Sequence, residues 1–424
     1  MTGSTHDTAA SPARGHSGAP PWAPLAITMA AAGFSLRPPI TAMGAALGFV
    51  PESAEFDPTI LGWVVTVPLW CYAVGGALTP RLAARWGAAR TATAALAVMT
   101  AGQAVRVTGG AATLLAGTTV TALATAVLAT LLPVLAARSG NRMSRLTAIY
   151  APAIGIGSAA GAFATAPLSA ASSWRWGLAL WAPLCALALA FWLCARWQPD
   201  DAGADAYART PAVVDTSAGA GARGGGGVLV LGGPGGRLAW AMALLFGAWA
   251  VGAFAVMSWL PSIYRDAGVE GTWAGVLLGL AAAAGIPVAV VLPGWVRRVR
   301  GGPARDMPIL VVTALPAAGL LGLWWAPTVA PWLWAIGVGV GLGGLSLILT
   351  LIPLSAPGPR AATALSAVTH GVGYTVAGGG VALLSMLRVH LDDWATILWI
   401  LLAACVIQAV AGATALRSGP PGIR

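Results

Sequence analysis

The sequence predicts an all-α polytopic membrane protein with twelve transmembrane helices in two six-helix bundles and both termini cytoplasmic. Three observations carry that expectation. The chain has 424 residues, of which 58% are hydrophobic and 8% charged, and its mean hydropathy is +0.79. Apolar runs of about 20 residues, the length a helix needs to cross a bilayer, recur from one end to the other. One long polar break, Arg196 to Arg237, divides those runs into six and six. The alternating pattern of a membrane β-barrel is absent.

The elements follow in order. Residues 1–21 are polar and rich in Ser, Gly, Pro and Ala, with no apolar core ahead of a cleavage site, and read as a disordered cytoplasmic tail. Residues 22–195 form the first bundle, with spans near 23–49, 59–80, 91–108, 111–136, 146–168 and 176–195. Residues 196–237 hold Asp200, Asp201, Asp205, Asp215 and two glycine runs. That composition cannot build a core and reads as a flexible cytoplasmic linker. Residues 238–416 form the second bundle, with spans near 238–262, 272–294, 307–326, 331–354, 363–386 and 394–416, and 417–424 are a cytoplasmic tail.

Arginine placement orients the chain. All 23 basic residues are arginine, a bias expected of a high-GC bacterial genome. Eighteen fall on the side of the termini and linker, and four (Arg106, Arg175, Arg265 and Arg388) fall on the other. The arginine-rich side is the cytoplasmic one. The net charge of +10 is therefore a topology signal and not a nucleic-acid footprint. The four cysteines sit in apolar spans, and no Cys/His spacing suggests a metal or a disulfide framework.

The two halves repeat. At an offset of 213, Gly62 matches Gly275, Pro80 matches Pro293 and Arg85 matches Arg298. At an offset of 220, Trp174 matches Trp394 and Tyr150 matches His370. Paired bundles of this kind hold a solute near the midplane between the halves and rock about it.

The remaining charge is Arg37, near the centre of the apolar stretch Trp22 to Val50. A cation at that depth costs roughly 2.5–3.5 kcal/mol on insertion scales and faces a cavity or a partner. Pro38 and Pro39 follow it, donate no N–H, and press their rings on the carbonyls of Phe34 and Ser35. The position thus combines a positive charge, an opened helix and a cavity.

The run Leu36-Arg37-Pro38-Pro39-Ile40-Thr41-Ala42-Met43-Gly44 resembles the L-R-P-x-I-T-x-x-G signature of the cyanate/2-nitroimidazole transporter family, within the major facilitator superfamily. Leu78-Thr79-Pro80-Arg81, Leu131-Leu132-Pro133, Trp174-Arg175-Trp176, Trp259-Leu260-Pro261 and Gly373-Tyr374 match as well. The resemblance spans nearly the whole chain. It implies the major facilitator fold and a secondary active or facilitative transporter of a small polar or anionic solute, such as cyanate or a nitroimidazole-like compound, working by alternating access. Four polar positions of the pattern are altered, to Ala129, Trp249, His370 and Gly371.

The candidate solute-binding residues are Arg37, Thr41, Tyr150, Trp249, His370 and Tyr374. Arginine offers a planar fork of donors suited to a carboxylate, a nitro group or a small linear anion. His370 can donate, accept or gain charge near neutral pH, and is the candidate for proton coupling. The tyrosines offer hydroxyls and ring faces, and Trp249 a surface on which a flat solute would stack. Thr118, Thr121 and Thr125 are expected to satisfy their own backbone. All thirteen acidic residues fall outside the predicted spans. Proton coupling would rest on His370, on a loop acid such as Asp266, or on the solute itself. An efflux pump for flat aromatic compounds is the alternative reading. An enzyme would need paired carboxylates or metal ligands at membrane depth, and the sequence has neither. The expected partners are a small-molecule solute and the lipid bilayer of the plasma (inner) membrane. No cofactor, metal or nucleic acid is expected, and the chain is expected to act as a monomer.

Overall fold

Helix covers every predicted span in the computed structural model of the chain. The structure describes residues 22–50, 56, 58–138, 143–195, 234–298, 305–356, 359–391 and 393–418. The expected N-terminal tail, almost all of the linker and most of the C-terminal tail lie outside those residues.

The first half contains α1 (Trp22–Ser35), α2 (Pro38–Ala46), α3 (Pro58–Trp86), α4 (Ala88–Val105), α5 (Ala111–Arg138), α6 (Met143–Ala171), α7 (Trp174–Ala179) and α8 (Trp181–Cys194). The second half contains α9 (Pro234–Asp266), α10 (Gly271–Arg298), α11 (Met307–Trp325), α12 (Pro331–Leu342), α13 (Gly344–Ser355), α14 (Pro359–Leu391) and α15 (Trp394–Ser418). Ten helical segments among the described residues are long and apolar enough to cross a membrane, with α7–α8 and α12–α13 each acting as one. The other two predicted spans are helical too. The first is interrupted at Arg37, and α4 has 18 residues with Arg90 and Gln103 inside it.

Local chemistry explains the boundaries. Gly87 separates α3 from α4 at a φ of 81°, a conformation that side chains with a Cβ adopt only with strain. Proline stands in the first turn of α2, α11 and α12, where its missing N–H loses nothing. Asp393 caps α15, accepting from the amides of Ala395 at 2.9 Å and Thr396 at 3.0 Å. The α7–α8 break at Leu180 lies three residues before Pro183, which has no N–H for the Ala179 carbonyl.

The repeat read from the sequence coincides with the helices. Shifting α3 by 213 residues lands on α10 from first residue to near the last. Gly62 of α3 faces Ser385 of α14, and Gly275 of α10 faces Ala166 of α6. Both glycines thus sit where one half meets the other, α3 on α14 and α10 on α6. The largest buried apolar cluster is centred on α9 and draws in Ile40, Leu69, Tyr72 and Ala162 from the first half.

Candidate solute site around Arg37

The chain leaves α1 at Ser35 and re-enters helix at Pro38. Arg37 lies between, at φ −106° and ψ −32°, with no side-chain cap. Its carbonyl accepts from the amides of Ile40 and Thr41 at 3.1 and 3.2 Å, so the backbone repairs itself on the far side of the prolines. This opening frees the Arg37 side chain from the helix surface. Gly44, two turns on, lets α2 approach α9 closely, because a Cβ there would collide with the Met257 carbonyl. The close approach brings Arg37 Nη1 to 3.9 Å from Met257 Sδ across the two halves.

A cluster of rings from α3, α9 and α14 lies near this point. Tyr72 of α3 lies 5.5 Å from Tyr374 of α14 and 5.9 Å from Phe254 of α9, centroid to centroid. Phe246 of α9 lies 4.8 Å from both His370 and Tyr374, and 5.6 Å from Trp249. The Arg37 charge acts electrostatically on both Tyr72 and Tyr374. Arg37, His370 and Tyr374 are half-buried, and among the described residues no carboxylate pairs with the guanidinium. The result is a cation with spare donors beside an aromatic box drawn from both halves. Such a box accepts a flat or linear polar solute: the rings take its faces, and the guanidinium takes its charge or its acceptor edge.

Of the six residues singled out by sequence, Arg37, His370 and Tyr374 are brought together. Trp249 touches the box through Phe246, but its indole N–H donates to the Gly341 carbonyl at 2.9 Å. Thr41 is fully buried and donates back to the Arg37 carbonyl at 3.2 Å, lodged against Gly161 of α6. Tyr150 packs in a separate cluster with Leu25, Met29 and Leu128, its backbone against Gly33 of α1. Neither Thr41 nor Tyr150 joins the box. His370 Nδ1 lies 2.8 Å from the Ser366 carbonyl. Asp266, the candidate loop acid, accepts from Arg388 at 2.9 Å and from the Trp394 indole at 2.7 Å, which ties together the ends of α9, α14 and α15.

Sequence reasoning missed Tyr72, Phe246, Phe254 and Met257. For the last three the signal was a run of large side chains at helical spacing in α9, with Phe246 and Met257 on one face and Trp249 and Phe254 on its flanks. Thr125 satisfies its own backbone at Thr121. Thr118 and Thr121 do not, since their buried hydroxyls have no partner.

The fold is that of a multi-pass membrane protein, and the family match makes it a transporter of small solutes. A family model of the Major Facilitator Superfamily matches residues 23–382, and the chain belongs to that superfamily. It is 26% identical over 387 residues to the "Uncharacterized transporter YycB" of Bacillus subtilis (strain 168), covering 91% of each chain. It is 28% identical over 389 residues to the "2-nitroimidazole transporter" of Escherichia coli (strain K12), covering 90% of this chain and 93% of that one. Among solved structures it is similar in fold to a D-xylose-proton symporter, with a TM-score of 0.68 and 16% identity over 94% of this chain and 98% of that one.

Proposed function

We propose that the chain carries a small polar or anionic solute, of the class of cyanate or a nitroimidazole, across the inner membrane by alternating access. In this reading twelve spans form two six-helix bundles, with both termini and the linker cytoplasmic. The observation that carries it is Arg37, a half-buried cation with no carboxylate partner among the described residues, against Met257 of α9 and within electrostatic reach of Tyr72 of α3 and Tyr374 of α14. The similarity to a 2-nitroimidazole transporter supports the same solute class. Arg37 is the recognition residue, Tyr72 and Tyr374 supply hydroxyls beside it, and His370 is the group available for proton coupling.

The test is uptake of cyanate, a 2-nitroimidazole and short carboxylates into cells expressing wild type or Arg37→Gln at matched surface level. Accumulation with wild type that vanishes with Arg37→Gln supports the reading. Unchanged transport in the variant makes Arg37 structural and removes the basis for the solute class. A second reading, efflux of flat aromatic compounds, is favoured by the density of rings in the box. It predicts lower cellular accumulation of nitroheterocycles or dyes on expression.

A further inference from the structure

Arg106 is the largest fully buried side chain among the described residues, at 0% exposure. It lies just past the end of α4. Its Nη1 donates to the Pro39 carbonyl at 3.1 Å. Its Nε and Nη2 have no partner, and among the described residues no carboxylate pairs with it. A guanidinium cannot shed its proton, and a buried charge left uncompensated is strongly destabilising.

Its surroundings are polar and equally unsatisfied. Gln103, three residues earlier on α4, is fully buried, and both atoms of its amide lack partners. On α5 the hydroxyls of Thr118 and Thr121 lack partners too. Two glycines show that these faces meet: a Cβ on Gly102 would collide with Thr121, and one on Gly117 would collide with the Arg106 backbone. From α8, the Cys185 thiol lies beside Gln103 and within electrostatic reach of Arg106. Unpartnered amide and hydroxyl groups therefore gather around a buried positive charge, and among the described residues no negative group answers it.

We propose that this junction of α4, α5 and α8 is a buried binding site for one small monovalent anion, held by Arg106, Gln103, Thr118 and Thr121. One guanidinium sets the charge, and complete burial sets the size to that of a halide or a short linear ion. A cation is excluded by Arg106. A water molecule would satisfy donors but leave the charge unanswered. The site is separate from the aromatic box, since its residues come from α4, α5 and the turn between them, and the rings of the box come from α3, α9 and α14. Its effect on the box passes through the Pro39 carbonyl, two residues beyond Arg37. An occupied site stiffens the helix opening that aims the Arg37 side chain.

The experiment measures thermal unfolding of the purified full chain, with chloride replaced by gluconate at fixed ionic strength and then restored by titration of chloride or bromide. A saturable rise in midpoint, on the order of 5 °C at high occupancy, is expected for wild type. Arg106→Gln loses the halide dependence, while Gln103→Leu and Thr121→Val, which keep the charge, weaken the apparent halide affinity by about fivefold or more. Arg37→Gln retains the full response, which separates this site from the solute site. Equal midpoints in gluconate and chloride overturn the proposal. So does a wild-type halide response in both Gln103→Leu and Thr121→Val, and that result stands even if Arg106→Gln fails to fold.

Discussion

At Arg37 the guanidinium offers a planar fork, and a lysine would offer only a point charge. Hydrogen bonds to charged groups contribute roughly 1.5–3 kcal/mol, so Arg37→Gln is expected to raise the apparent KM for the transported solute by roughly 10- to 100-fold. Arg37→Lys should recover part of that loss for a compact anion and little for a nitro compound. Kinetics of uptake by the two variants on both solute types checks the distinction. Thr41→Val makes the opposite test. Its hydroxyl serves the Arg37 carbonyl and touches Gly161, so the variant should lower thermal stability and leave solute selectivity in place. At this scale the sequence made Arg37 legible, because a lone charge among apolar residues declares itself. His370 and Tyr374 were legible as polar groups one turn apart. Tyr72 and Phe246 were not: Tyr72 meets Tyr374 across the halves and Phe246 meets His370 and Tyr374 across two helices of the second half, pairings that no single helix encodes. Thr41 and Tyr150 have residue types that suit a cavity, but the structure packs them outside the box, against Gly161 and Gly33.

Elements are held by close approaches at small residues, as expected where lipid removes the usual hydrophobic drive between helices. Gly44 sets the distance from α2 to α9, and with it the position of Arg37. Gly44→Ala places a Cβ on the Met257 carbonyl, and relieving that overlap should cost roughly 1–3 kcal/mol. Gly252→Ala on α9 meets nothing within 4 Å and is the control. Thermal midpoints of the two variants should fall far apart. The cap of α15 gives a pH-dependent counterpart. Hydrogen bonds from Thr396 and Ala395 hold the Asp393 carboxyl below the ordinary carboxylate range. The cap is therefore in force above that range and is lost as pH falls through the lowered value. Amide exchange at the start of α15 should quicken in Asp393→Ala at neutral pH and in wild type only in strong acid. Hydrophobic run lengths and arginine placement made the spans legible. The split at Gly343 was harder to read, because a Gly-Gly pair marks a break only when its neighbours fail to hold the helix straight.

For the whole molecule, alternating access requires the halves to part on one side while they stay joined on the other. The largest interfaces that must slide or separate are α3 against α14 and α6 against α10, with α2 against α9 between them. Thr66 and Ser385 meet on the first of these, their hydroxyl oxygens 3.0 Å apart. Oxygens that close place the two side chains within the span of a disulfide after a small adjustment. The double variant Thr66→Cys/Ser385→Cys, in a chain whose four native cysteines are replaced, should therefore cross-link on oxidation. A bond at this point holds α3 on α14 while leaving Arg37 and the aromatic box untouched. Solute binding should then persist while transport falls to background and returns on reduction. Binding by equilibrium dialysis and uptake into proteoliposomes, each before and after reduction, separate the two effects. Full transport by the quantitatively cross-linked protein would mean that these helices do not part during the cycle, and that access is switched at the α6–α10 and α2–α9 contacts.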